Sequence, residues 1–417
     1  MRVHIFVLII VISASALAQQ IPSDPVARLQ EKLNRGDIKL EFNAKNGYLE
    51  AVLKALDIPV SSQTLVFSKT SLQLDRIGPW APRALYFNDD VYVGAVLDGP
   101  ILEFASVDPG TGGVFYTMTQ KQGAEPEFDR QGTTCLLCHN SSSTGGVPGF
   151  LVRSIYPDRH GSAIASVGQD IATDQTPLKE RWGGWYMSGT HSEPQSLGNW
   201  KSPMLTNEIS SVKTYLSRLN VTSESPSTDL KSRFNVDSYL SPYSDVVALM
   251  VLTHQTNLHN LILATNQRAR KAGYHGSVDE RDSESVNSVG RAVEPLVRAM
   301  FFVNEAPLTG PMKGASEFAS EFEDRGPRDR KNRSLRDFDL TRRLFRYPLS
   351  YLVYSDSFNA LPEAARKYAY RRFREVLTGE DQRPEFAHLS ASNRQAILEI
   401  LIETKPDFAA FITDSGK

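Results

Sequence analysis

The architecture of the chain is set by residues 85–120, LYFNDDVYVGAVLDGPILEFASVDPGTGGVFYTMTQ. Three apolar runs rich in β-branched and aromatic residues lie in this stretch, at Val91–Leu97, Ile101–Val107 and Val114–Met118. The runs are separated by turn sequences: Asp98-Gly99-Pro100, Asp108-Pro109-Gly110 and Gly112-Gly113. Glycine, proline and aspartate in such clusters favour tight turns. The pattern therefore predicts an antiparallel β-meander.

Helical patterns lie on both sides of this meander. The clearest apolar repeat in steps of three and four is Asp245–Thr265, and Ala360–Leu377 and Asn393–Glu403 have good helix compositions. Val26–Leu33 and Gly47–Leu56 are shorter amphipathic pieces upstream. We therefore predict an α+β fold, predominantly α-helical, with a small antiparallel β-meander and a helical C-terminal half. A soft boundary near residue 200 separates 19–200 from a helical region, 201–417, that we expect to pack on it.

The first 18 residues have the pattern of a secretory signal peptide. Arg2 and His4 precede an apolar core at Ile5–Ile12, and Ala16-Leu17-Ala18 is an A-x-A cleavage site. The apolar run is shorter than a membrane-spanning helix requires, so a retained anchor is the less favoured alternative. We expect cleavage after Ala18, no transmembrane anchor in the mature chain, and export to the periplasm or beyond.

The only two cysteines of the chain lie in one pentapeptide, Cys135-Leu136-Leu137-Cys138-His139. C-x-x-C-H is the pattern of covalent c-type haem attachment, in which the histidine supplies an axial nitrogen to the iron. A redox-active dithiol is one alternative, although it usually follows a buried strand in a β-α-β unit. A zinc site is another, but no second Cys or His pair lies at zinc spacing.

Residues 133–149, TTCLLCHNSSSTGGVPG, resemble the haem-attachment segment of c-type cytochromes, and the cytochrome c-like part extends over about 125–200. The resemblance implies one covalent haem c, with thioether bonds from Cys135 and Cys138 and with His139 as the proximal iron ligand. It also implies that the backbone carbonyl of Pro148 orients His139. The whole chain resembles large, uncharacterised single-haem exported bacterial cytochromes c, which imply no more specific activity.

The second axial position of the iron decides the class of chemistry. His254 lies on the apolar stripe of the helix predicted at 245–265, so it is either a hydrogen-bonded core residue or a distal ligand. Met187 follows His139 at a separation similar to that of the axial methionine in small cytochromes c, and packing is the alternative. His191, on a predicted loop, is the third candidate. His259 lies off the apolar stripe and is predicted to lie at the surface or behind other ligands.

Arginine side chains near the motif are candidates for binding the haem propionates, because the guanidinium group binds carboxylates bidentately. Arg153 and Arg181 follow the motif and are the two candidates. The net charge is −2, so no nucleic-acid-binding surface is predicted. Two functions follow as hypotheses: electron transfer to a redox partner protein, or oxidation of a small-molecule substrate by a haem-dependent oxidoreductase with an accessible iron.

Overall fold

Seven antiparallel strands form the central sheet of the computed structural model, which describes residues 23–165, 167–192, 196–199, 228–271 and 283–415. The strand order is β6-β5-β4-β3-β2-β1-β9. The strands are β1 Thr64–Val66, β2 Arg83–Phe87, β3 Val91–Ala95, β4 Ile101–Asp108, β5 Gly112–Thr119, β6 Asp129–Gln131 and β9 Trp185–Tyr186. The predicted signal peptide and the predicted boundary near residue 200 lie outside the described residues.

The predicted meander is confirmed as β3, β4 and β5, and the sheet is larger than the sequence indicated. Paired residues run from Val91↔Ser106 across β3 and β4, and from Ile101↔Thr119 across β4 and β5. The strands missed in the prediction are short, and β9 joins the edge at β1 from about 120 residues downstream, through Val66↔Trp185. Such a long-range pairing leaves no local pattern in the sequence.

Both faces of the sheet are covered, because alternate residues enter two different hydrophobic cores. Val91 and Val93 belong to a core completed by α1 (Pro25–Asn34) and α2 (Leu49–Ala55). Tyr92, between them, belongs to a larger core built with the C-terminal helices. This is the two-residue period expected of a strand. The sheet is therefore the middle layer between two helical layers.

The remaining helices confirm the predicted α+β class. They are α3 Thr133–His139, α4 Val246–Lys271, α5 Ser283–Met300, α6 Phe318–Asp324, α7 Asp356–Asn359, α8 Glu363–Thr378, α9 Ala391–Thr404 and α10 Pro406–Ser415. Two small two-stranded sheets complete the described part: β7 Arg153–Ile155 with β8 Gln169–Ile171, and β10 Gly189–Thr190 with β11 Lys313–Gly314. Among the described residues, no helix has the length and apolar character needed to cross a membrane.

Helix α4 runs through the centre of the larger core. Its N-terminus is capped by Asp245, whose Oδ1 accepts hydrogen bonds from the backbone N–H groups of Val247 (2.8 Å) and Ala248 (3.1 Å). Of its 26 residues, 20 are buried. The apolar stripe predicted only one buried face, and the structure buries the others as well. His259, predicted to lie at the surface or behind other ligands, is consequently only 3% exposed.

Candidate functional site

The two cysteines lie on a short helix with an unusually open surface. Helix α3 has no buried residue, and Leu137 on it is 74% exposed. Cys135 is half-buried and Cys138 is exposed, and neither is in a disulfide bond. Residues three apart on a helix lie on the same side. The two thiols therefore point to a common region beside α3.

His139, the last residue of α3, is fixed by its backbone and by its ring. Its Nδ1 lies 2.8 Å from the carbonyl oxygen of Gly149, and the Gly149 N–H donates to the His139 carbonyl at 2.7 Å. Because a carbonyl only accepts, Nδ1 carries the hydrogen and donates it. Burial lowers the pKa of His139, so the ring is neutral and its Nε2 keeps a lone pair. No other hydrogen bond of this ring occurs among the described residues.

The carbonyl that orients His139 is that of Gly149, so the assignment to Pro148 was wrong by one residue. The Pro148 carbonyl accepts the N–H of Gly113, at 2.9 Å, and ties the loop to β5. The His139 ring also packs on β5, with its centroid 4.6 Å from that of Phe115. The motif is thus held directly on the central sheet.

Asn260 on α4 completes this support, and its role was not predicted from the sequence. Its Oδ1 accepts the N–H of Phe150 and its Nδ2 donates to the Phe150 carbonyl, both at 2.8 Å. The close approach requires glycine at the preceding position, because a Cβ at Gly149 would lie 2.1 Å from the Asn260 Oδ1. The signal in the sequence was Asn260 itself, a polar residue within a helix whose neighbouring residues are mostly buried.

Beside α3, the sheet carries a half-buried surface with one ion pair. Arg83 on β2 and Glu103 on β4 form a salt bridge of 2.9 Å. Gly94 on β3 lies between them, and a Cβ there would come within 3.3 Å of Leu85 and 3.6 Å of the Glu103 carboxylate. Burial, followed by the nearby Glu103 carboxylate, raises the pKa of the Cys135 thiol. The thiol side of α3 therefore adjoins a partly apolar surface with a charged border.

The two arginine candidates have different surroundings. Arg153 on β7 is half-buried, and it and Arg83 are close enough to His139 to lower the histidine pKa further. Arg181 is only 1% exposed. Its guanidinium group donates to the carbonyls of Thr176 (2.7 Å) and Asp174 (2.8 Å) and contacts the Met250 sulfur. The structure thus brings Arg153 to the motif, whereas the donors of Arg181 are used inside the core.

His254 lies in the core with both ring nitrogens hydrogen-bonded. Nδ1 lies 2.8 Å from Asp174 Oδ2, and Nε2 lies 2.8 Å from Ser350 Oγ. The ring stacks on Phe302 with centroids 4.5 Å apart. This matches the first of the two interpretations of His254, the hydrogen-bonded core residue. A serine, histidine and aspartate in this order also occur in nucleophilic triads. Both His254 and Ser350 are fully buried, which leaves no route for a substrate.

Met187 and His191 occupy different positions on the same segment. Met187 is 1% exposed and packs in the larger core, and its backbone exchanges two hydrogen bonds with the Asn199 side chain. This agrees with the packing alternative. His191 follows β10 and is half-buried. Met187 has no hydrogen bond or ring contact with α3 among the described residues.

No group of three or more His, Cys, Asp or Glu side chains in the described part of the chain is arranged to hold a metal ion. Comparison of the chain with protein-family models, with curated proteins and with solved structures finds no match. The functional assignment consequently depends on the geometry around α3.

Proposed function

We propose that the chain is an exported c-type cytochrome that carries one covalent haem c and transfers electrons in the periplasm. The observation that carries the proposal is the arrangement of His139. Its Nδ1–H donates to the Gly149 carbonyl at 2.8 Å, which leaves the Nε2 lone pair of the neutral ring unprotonated. His139 lies on the same helix as both thiols. A second hydrogen bond that orients the imidazole is a regular feature of metal-ligating histidines.

The residues around α3 suit this group. Cys135 and Cys138 would each add an S–H across one vinyl group, forming a C–S bond while the proton goes to the neighbouring carbon, so nothing is oxidised or released. When bound, the haem supplies an iron that gains and loses one electron. His139 would hold one axial face. Arg153 is the cation proposed for the propionates, since Arg83 is paired with Glu103 and the donors of Arg181 are bonded within the core.

A reactive dithiol is less well supported. Thiols that act in redox exchange have a lowered pKa, because the thiolate is the reactive form. The Cys135 pKa is raised instead, by burial and by the Glu103 carboxylate. A thiol that stays protonated is a poor nucleophile for attack on a disulfide.

The alternative function, a haem oxidoreductase with an accessible iron, is favoured by the positions of the distal candidates. His254 has both nitrogens hydrogen-bonded, and Met187 is enclosed in the core. Neither is free to bind iron without rearrangement. Carbon monoxide binding to the reduced protein separates the two functions. A slow, incomplete spectral change supports electron transfer, and rapid saturation supports the enzyme.

Covalent attachment is tested by expression with a haem c maturation system, followed by haem staining of denaturing gels. We expect the wild-type chain to keep haem in acidic acetone, and Cys135→Ser/Cys138→Ser to lose it. Each single cysteine variant should shift the pyridine haemochrome band towards that of a single thioether. Ser143→Ala, an exposed change in the same segment, is the matched control and should keep the wild-type spectrum. Release of all haem from the wild-type chain would refute the proposal.

A further inference from the structure

A small cavity lies behind the segment that holds His139. It has a volume of about 10 Å³ and is lined by β4, β5, α4, α7 and the loop at Pro148 and Phe150. Most of its wall is apolar, with Val107, Ile262 and Leu263 among the lining residues. Three polar side chains also line it: Asp108 of β4, His259 of α4 and Ser357 of α7.

His259, which lines this space, carries an unpaired acceptor. Its Nε2 lies 2.9 Å from the Asp89 carbonyl oxygen, so Nε2 carries the hydrogen and donates it. Burial lowers the pKa of His259 to about 4, so the ring is neutral near pH 7. Its Nδ1 is then a bare lone pair, buried and with no hydrogen-bond partner among the described residues.

Ser357 supplies the second polar atom. Its Oγ is also buried without a partner among the described residues, and the residue is 6% exposed. Buried polar groups in native proteins are almost always paired with protein or with ordered water. Two unpaired polar atoms, on two residues that line the same cavity, therefore indicate a common hydrogen-bond partner.

We infer that this cavity binds one water molecule, which donates a hydrogen bond to His259 Nδ1 and exchanges a second with Ser357 Oγ. A volume of this size holds a single water. A cation is disfavoured because the only lining carboxylate, Asp108, is already engaged. It accepts from Ser23, Gly110 and Thr111.

The water would join α4 to α7 beside the loop whose Gly149 carbonyl orients His139. The inference depends only on the cavity and its two orphaned atoms, so it stands or falls separately from haem attachment.

Histidine-labelled protein tests the site, since the chain has only eight histidines. In ¹⁵N spectra, His259 should show a non-protonated nitrogen with the shift of a hydrogen-bond acceptor and a cross-peak from its ring to a long-lived water. A His259→Phe variant assigns the signal. His254 is the internal control, because protein groups bond both its nitrogens, and it should show no water cross-peak.

A crystal structure gives the second measurement, should the variant fail to fold. Density for one water within hydrogen-bond distance of both atoms supports the inference. An empty cavity, an ion, or a His259 nitrogen with the shift of a free lone pair overturns it.

Discussion

Three histidines show that the partner of one ring nitrogen decides what the other nitrogen can do. His139 donates from Nδ1 to a carbonyl, and its Nε2 has no hydrogen bond among the described residues. His254 bonds protein groups through both nitrogens. His259 donates from Nε2 and leaves Nδ1 bare inside the core. The chemistry open to each ring follows from these partners, which the sequence does not display.

The network around His254 is expected to stabilise the fold without contacting the proposed haem. Ser350→Ala removes the partner of a fully buried nitrogen, so we expect the free energy of unfolding to fall by about 1–3 kcal/mol. Urea titration measures this change. The visible spectrum of the haem-loaded protein should stay unchanged.

Ser143→Ala, at the exposed surface, is the comparison and should alter stability by less than about 0.5 kcal/mol. A changed spectrum in Ser350→Ala would instead connect His254 to the iron.

At the scale of elements, helices α3 and α4 differ most in how deeply they are buried. None of the seven residues of α3 is fully buried, and the helix is held through its last residue and the following loop. Helix α4 is buried on nearly all sides, and its polar residues Asn260 and His259 serve contacts with the motif loop and with Asp89. The helical periodicity of the sequence predicted the position of α4, but it predicted burial of only one face of that helix.

The contact between β5 and α4 is expected to be intolerant of a single added methyl group. Gly112 has φ +90°, and a Cβ there would lie 1.9 Å from Leu263 Cδ2 and 2.8 Å from the Pro148 oxygen. Gly112→Ala should therefore lower the free energy of unfolding through both strain and overpacking.

Gly123→Ala is the matched control, since Gly123 has φ +78° and nothing within 4 Å of its added Cβ. The Gly112 variant should lose about 1–3 kcal/mol more than the Gly123 variant in chemical denaturation. Equal losses would mean that the packing contact is unimportant.

At the scale of the whole molecule, the sheet links the two parts that the sequence separated near residue 200. Val66, Phe87 and Tyr92 on one sheet face share a core with α4, α8 and α9. Unfolding the C-terminal helices would expose this face. Shared burial of this kind favours a single cooperative transition.

Two probes on one sample test that cooperativity. All four tryptophans lie within the first 200 residues, and the long helices α4, α5, α8 and α9 follow residue 245. We expect tryptophan fluorescence and far-ultraviolet circular dichroism to give the same urea midpoint. Trp80, 57% exposed, is best removed as Trp80→Phe, so that buried tryptophans dominate the signal. Two separate midpoints would identify independently folding units.

The amino-acid sequence by itself determined the α+β class, the three meander strands, the helices α4, α8 and α9, and the C-x-x-C-H segment. Each of these features depends on the spacing of residues within a short stretch of chain, because periodic apolar residues, turn residues and the motif are local patterns. Tertiary structure alone decided that Gly149 orients His139, that Asn260 supports that loop, that Arg181 is enclosed and that β9 closes the sheet edge at β1. The Asn260 and β9 contacts join residues distant in the chain, and burial and hydrogen-bond partners exist only once residues meet in the folded structure.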